Sequence, residues 1–127
     1  MDWVSLTFDD ITKEQYAKVK AKFPSIRLFS KKDAKTIVEF LGKHKDAEEE
    51  LSLIVHCTAG VSRSGAGGWF ACRFLGLDKN KFLRQNKNLF PNKYVLQVLE
   101  SLAGMDFTSE EEYRSSFAPE FETEEKE

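Results

Sequence analysis

The sequence predicts an α/β fold, in which a small, mostly parallel central sheet is flanked by helices. Three observations favour it: large apolar and small polar residues alternate over 3–8, a short apolar run covers 51–55, and helical periodicity fills most of the remaining chain. The 127 residues, 41% of them hydrophobic and eleven of them Phe, are enough for one compact core. We therefore expect neither disulfides nor a structural metal to be needed for folding.

The helices have clear start signals. Thr12 forms a capping-box pattern with Gln15, and a helix of about three turns is predicted from there to Pro24. Ser30 precedes the most regular amphipathic run, over about 31–43. Further helices are predicted over about 64–76, 79–87, 92–103 and 109–117.

The net charge of −2 divides unevenly along the chain. Residues 1–105 hold 17 Lys and Arg against 12 Asp and Glu, a charge of +5, whereas residues 106–127 hold 2 against 9, a charge of −7. We predict a catalytic body over 1–105 and an acidic tail over 106–127, which begins as a short helix and ends disordered. The basic body favours an anionic ligand, although Lys-rich solvated helix faces would give the same count.

Composition also bears on the compartment. No apolar stretch is long enough to span a membrane, and no charged segment followed by an apolar run opens the chain. Cys57 and Cys72 are too few for a disulfide scaffold and lack the paired Cys/His spacing of a zinc site. We expect a cytoplasmic protein without a bound metal, in which Cys72 belongs to the core.

The chemistry is concentrated in one segment, His56-Cys57-Thr58-Ala59-Gly60-Val61-Ser62-Arg63-Ser64, between the predicted strand 51–55 and the next helix. A strand, a tight loop and a helix N-terminus present backbone N–H groups to an anion. The pattern His-Cys, five residues, Arg-Ser resembles the signature loop of the cysteine-dependent protein tyrosine phosphatase superfamily. The resemblance implies a phosphatase-like fold with an abbreviated N-terminus.

Each residue type in this loop suits phosphoryl transfer. The helix N-terminus can lower a thiol pKa from about 8.5 to about 3.5–7.5, which makes Cys57 the expected nucleophile. Arg63 can bind two phosphoryl oxygens with its planar fork, and Ser64 is placed to hydrogen-bond the sulfur. His56 is expected to be a buried residue that orients Cys57. The phosphate is expected to contact the loop residues Thr58, Ala59, Gly60, Val61, Ser62 and Arg63.

The reaction also needs a general acid to protonate the leaving oxygen, and the resemblance implies an Asp that precedes the signature loop in the sequence. Leu6-Thr7-Phe8-Asp9-Asp10-Ile11 is similar to the acid segment of the compact microbial and phage-like dual-specificity branch of the superfamily. We favour Asp10 as the acid and keep Asp9 as its rival; either could instead be a helix-start acid. The same branch implies a role for Asn92, which either caps the helix that follows or helps to pin the phosphate site.

Two features depart from the resemblance. Only eight residues precede Asp9, so we expect a sheet of few strands with an exposed edge that a partner could cover, and an acid that could be misplaced. The start of the predicted helix at Gly65-Ala66-Gly67-Gly68 is costly, since each interior Gly costs about 1 kcal/mol relative to Ala. Close packing against a neighbouring element would explain it.

The expected function is hydrolysis of phosphotyrosine in a protein or peptide, with phosphoserine and phosphothreonine as further substrates, through a phosphocysteine and without a cofactor. Neither nucleic acid nor a membrane is expected as a partner. Two alternatives stay open: a pseudophosphatase that binds phosphorylated partners without turnover, and an enzyme of the RNA 5′-triphosphatase type, whose site shares the Cys and Arg loop. The segment 58–62 contains no Lys to meet additional phosphates.

Overall fold

A computed structural model describes residues 4–45, 55, 57 and 61–117. Within these ranges the chain forms six helices. They are α1 (Lys13–Val19), α2 (Lys31–His44), α3 (Arg63–Leu75), α4 (Lys79–Gln85), α5 (Lys93–Leu102) and α6 (Glu110–Phe117). All six lie where the sequence predicts helices, and α1 is shorter than the predicted three turns.

The predicted α/β fold with a central parallel sheet is wrong: the described part of the chain is all helical and contains no strand. Residues 4–9 alternate as a strand would, but a sheet needs a repeated ladder of backbone bonds. Here the Asp9 N–H donates to the Arg27 carbonyl at 2.8 Å, and no ladder continues from it among the described residues. The alternation instead lets Phe8 pack edge-to-face on Phe29, with ring centroids 4.7 Å apart.

The second predicted strand, over 51–55, lies outside the described residues except for Val55, which is exposed. The expectation of a partner at a sheet edge loses its basis in the described ranges, because they contain no sheet.

Side-chain caps explain where the helices begin. Thr12 and Gln15 form the predicted capping box at α1, and Ser30 forms a second one with Asp33 at α2. Asp78 and Asn92 cap α4 and α5 by accepting from backbone N–H groups.

The core is centred on α3, which contacts α2, α4 and α5. Eight of its thirteen residues are buried, so it is apolar nearly all round. The buried apolar cluster comprises Phe29, Ala34, Leu41, Ala66, Trp69, Phe70, Ala71, Val95, Leu96 and Leu99. None of the helices in the described ranges is both long and apolar enough to cross a membrane.

The glycines at the start of α3 sit where neighbours approach closely. A Cβ on Gly68 would lie 2.9 Å from the Phe82 ring, and one on Gly65 would lie 3.3 Å from the Cα atom of Pro91. The expected close packing is therefore confirmed, but against α4 and the segment before α5 rather than against a sheet.

Polar contacts join α3, α5 and the segment leading to α6. The Glu100 carboxylate is fully buried, pairs with Arg73 of α3 and accepts from the backbone N–H and hydroxyl of Thr108. The Trp69 indole N–H donates to the same hydroxyl at 3.0 Å. Because the buried carboxylate is paired with Arg73 and hydrogen-bonded to Thr108, this network fixes the relative positions of α3 and α5.

Candidate functional site

Cys57 lies at the N-terminal end of α3. Its Sγ atom is 3.3 Å from Oγ of Ser64 and accepts from the Ser64 backbone N–H at 3.4 Å. That N–H belongs to the first turn of the helix, where backbone donors lack an intrahelical acceptor and the helix dipole is positive. The arrangement places a sulfur where a thiolate would be stabilised, and it puts the Ser64 hydroxyl beside the sulfur, as the sequence predicted.

Arg63, the first residue of α3, is half-buried and anchored to the N-terminal segment. Its Nη1 atom donates to the Phe8 carbonyl at 2.8 Å. A guanidinium carries five N–H donors in a fixed plane, so one bond to Phe8 orients the group and leaves it with further donors for an oxyanion. Nothing in the sequence pattern indicated that Phe8 would supply this anchor.

Asp10 faces the same loop. Its Oδ1 atom accepts from the Ser62 hydroxyl at 2.7 Å and from the Asn92 side-chain amide at 2.8 Å. Ser62 is the residue immediately before Arg63, so the carboxyl group is attached to the loop that carries the expected nucleophile.

Asp9 has a different environment. Its Oδ2 atom accepts from the Arg27 backbone N–H at 2.7 Å, while its own N–H donates to the Arg27 carbonyl at 2.8 Å. These two bonds tie residues 9 and 27 together and direct the Asp9 carboxyl to the backbone of the segment before α2. Of the two candidate acids, Asp10 is therefore the one in contact with the loop.

Asn92 makes both of the contacts that the sequence left as alternatives. Its Oδ1 atom caps α5 by accepting from the Val95 N–H at 3.1 Å, and its Nδ2 atom donates to Asp10 and to the Ile11 carbonyl. Its backbone N–H donates to the Ser62 carbonyl at 3.0 Å. The buried residue Asn92 thus connects the acid segment and the start of α5 through its side chain, and the loop through its backbone.

Pro91 and Phe90 also border the loop, and sequence reasoning did not assign them to the site. The Phe90 N–H donates to the Val61 carbonyl at 3.2 Å, and Pro91 packs against Gly65. The unusual glycine at the helix start was the available signal for this approach. His56, Thr58, Ala59 and Gly60 lie outside the described residues, so their expected roles stay predictions.

Two buried residues of the described chain, Cys72 and Tyr113, have raised pKa values. Burial, with a smaller contribution from Asp78, raises the pKa of the Cys72 thiol, as suits a core residue rather than a nucleophile. Burial, with a smaller contribution from the negative charge of Glu110, raises the pKa of Tyr113 to about 12. Tyr113 uses its proton as a donor to the Pro91 carbonyl at 2.6 Å.

No family model, curated protein or solved structure matches the chain. Among the described residues, no group of three or more His, Cys, Asp or Glu side chains is arranged to hold a metal ion. The candidate functional site is therefore the set of side chains gathered at the start of α3: Cys57, Arg63, Ser64, Ser62, Asp10 and Asn92.

Proposed function

We propose that this chain is a cysteine-dependent phosphatase that hydrolyses phosphotyrosine, with phosphoserine and phosphothreonine as further substrates. The observation that carries the proposal is the pair of hydrogen bonds from Ser62 and Asn92 to Asp10. They bring a carboxyl group to the loop that runs from Cys57 to Arg63, the first residue of α3. A nucleophilic thiol has to stay reduced, and this favours the cytoplasm as the compartment in which the protein acts.

In the first step the Cys57 thiolate attacks phosphorus. The S–P bond forms as the ester P–O bond breaks, and Asp10 gives its proton to the leaving oxygen. Because Ser62 and Asn92 both donate to Oδ1 of Asp10, that proton is carried on Oδ2. Arg63 and the N–H groups at the start of α3 stabilise the negative charge on the phosphoryl oxygens.

In the second step water attacks the phosphocysteine. Asp10, now a carboxylate, takes a proton from the water as the new P–O bond forms and the S–P bond breaks. The departing thiolate accepts a hydrogen bond from the Ser64 hydroxyl, whose oxygen is 3.3 Å from Sγ. Inorganic phosphate leaves, and the cycle ends with Cys57 as a thiolate and Asp10 protonated by the water, ready for another substrate.

The test compares the two cysteines of the chain. Wild-type protein, Cys57→Ser and the matched control Cys72→Ala are assayed with an aryl phosphate, phosphotyrosine, phosphoserine and a 5′-triphosphorylated RNA. We expect Cys57-dependent turnover of the aryl and tyrosine phosphates. Cys72→Ala should retain it, because Cys72 is a buried apolar contact of α3. Acid quenching during turnover should trap one phosphoryl group on Cys57, detected by peptide mass spectrometry.

Three outcomes would contradict the proposal. Undiminished turnover by Cys57→Ser would show that Cys57 is not the nucleophile. Phosphate-dependent binding with no turnover by the wild-type protein would favour a binding module. Release of phosphate from the triphosphorylated RNA alone would favour an enzyme of the RNA triphosphatase type.

A further inference from the structure

The segment just before α5 forms one side of the candidate site. The Phe90 N–H donates to the Val61 carbonyl at 3.2 Å, and two residues later the Asn92 N–H donates to the Ser62 carbonyl at 3.0 Å. Val61 and Ser62 are the last two residues of the loop before Arg63. The backbone of Phe90 is therefore attached to the loop that would hold a phosphate.

The Phe90 side chain is 52% exposed, and it lies against packed neighbours. Its ring meets that of Tyr113 edge-to-face, with centroids 6.0 Å apart. Tyr113 is buried, and its hydroxyl donates to the Pro91 carbonyl at 2.6 Å. Pro91 in turn packs against Gly65 in the first turn of α3. Phe90 is thus an exposed aromatic ring held on a fixed support.

We propose that Phe90 is a specificity-determining residue whose ring packs against the aromatic ring of phosphotyrosine while the loop holds the phosphate. The inference deepens the proposed function and rests on it for the phosphate position. Exposure of an aromatic ring to water is unfavourable. An apolar or aromatic group of a ligand that covers the ring therefore gains binding free energy. Phosphoserine carries its phosphate on a single methylene and offers no ring to this surface.

A phosphorylated tyrosine is favoured over a nucleotide by the charge of the loop. Residues 58–62 contain no Lys or Arg, so Arg63 is the cation that the loop itself contributes. One arginine suits one phosphoryl group, whereas a triphosphate calls for several cations. An aryl phosphate carries one phosphoryl group for the loop and one aromatic ring for the exposed Phe90 ring.

Phe107 provides a matched control, because it is also a strongly exposed phenylalanine, at 56%. It follows the C-terminal end of α5, whereas Phe90 precedes the N-terminal end. The ten residues of α5 separate the two ends by about 15 Å at 1.5 Å per residue. Removing the Phe107 ring should therefore leave phosphate-site binding unchanged.

The experiment measures binding rather than turnover, so that it is independent of the catalytic steps. Phosphotyrosine, phosphoserine and inorganic phosphate are titrated calorimetrically into Cys57→Ser, alone and combined with Phe90→Ala, Phe90→Tyr or Phe107→Ala. We expect Cys57→Ser to prefer phosphotyrosine. Phe90→Ala should weaken phosphotyrosine between about twofold and about tenfold and leave inorganic phosphate unchanged. Phe90→Tyr should restore the preference, and Phe107→Ala should not alter it.

The outcomes separate the two proposals. Binding that follows this pattern in a protein without turnover supports the role of Phe90 and contradicts the phosphatase. Equal weakening of all three ligands by Phe90→Ala, or unchanged phosphotyrosine binding, overturns the role of Phe90 while leaving turnover untouched. If none of the three ligands binds, the role of Phe90 is overturned as well.

Discussion

The side-chain amide of Asn92 donates to the Asp10 carboxyl at 2.8 Å across 82 residues of sequence. Its carbonyl oxygen meanwhile caps α5. The start of α5 therefore positions the candidate acid, and the Ser62 hydroxyl attaches the same carboxyl to the loop. The described part of the chain has no sheet to support the acid segment, which is held by these side chains and by the bond from the Asp9 N–H to the Arg27 carbonyl.

Asp10 and Asp9 should differ when each is changed to Asn. Asp10→Asn cannot supply a proton, so we expect kcat to fall about 10²–10⁴-fold for substrates with poor leaving groups and much less for p-nitrophenyl phosphate. Asp9→Asn should keep kcat and slightly lower the melting temperature, because the bond that Asp9 accepts from the Arg27 N–H loses its charged acceptor. Measuring kcat on both substrates for both variants decides the assignment; the reverse pattern would make Asp9 the acid.

Asn92→Ser should separate the two contacts of Asn92. Serine is a good N-cap, so the helix start should stay within a few tenths of a kcal/mol, but its short side chain loses the donor to Asp10. We expect a near-normal melting temperature with reduced kcat and little change in KM. Asp78→Ala, which removes the cap of α4, is the control for capping alone. It should cost about 1 kcal/mol of stability without a change in kcat. Equal kcat for Asn92→Ser and wild type would contradict the positioning role.

The helices could be predicted from sequence because their signals are local. The Thr12 and Gln15 capping box and the amphipathic run after Ser30 act within one or two turns, and the structure has both helices. The sheet was wrongly predicted because alternation over residues 3–8 is equally suited to a segment lying across helices. Only a partner strand distinguishes the two, and that information is not local.

The candidate site likewise has a part that a local motif predicts and a part that depends on remote residues. Cys57, Arg63 and Ser64 are close in sequence, so one motif at a helix start brings them together. The distinction between Asp10 and Asp9 depends on Asn92 and Arg27, which are remote from the acid pair in the chain. Neighbouring residues of one type have no local signal that separates them.

Gly65 and Gly42 should respond differently to replacement by Ala. Both lie in helices, where Ala is favoured over Gly by about 1 kcal/mol. A Cβ on Gly42 would meet nothing within 4 Å, so Gly42→Ala should raise stability. A Cβ on Gly65 would lie 3.3 Å from the backbone of Pro91, which the Tyr113 hydroxyl holds. We expect Gly65→Ala to be less stable than Gly42→Ala in urea unfolding and to weaken phosphate binding. A stability gain equal to that of Gly42→Ala would show that Pro91 can move away.

Tyr113 should make stability depend on pH in the alkaline range. Its pKa is raised to about 12 by burial and, to a lesser extent, by Glu110, whereas in an unfolded chain it is about 10. Between these values the folded state retains a proton that the unfolded state has lost, so stability falls as pH rises. Below about pH 10 the contribution is complete.

The measurement compares wild type with Tyr113→Phe, which keeps the ring but removes the ionisable hydroxyl and its bond to Pro91. We expect the wild type to have the higher melting temperature at about pH 9 and the difference to shrink towards about pH 11. Both proteins share the raised pKa of Cys72, so its contribution cancels in the difference. A difference that stays constant over this range would mean that the Tyr113 proton is no more tightly held in the folded state than in the unfolded chain.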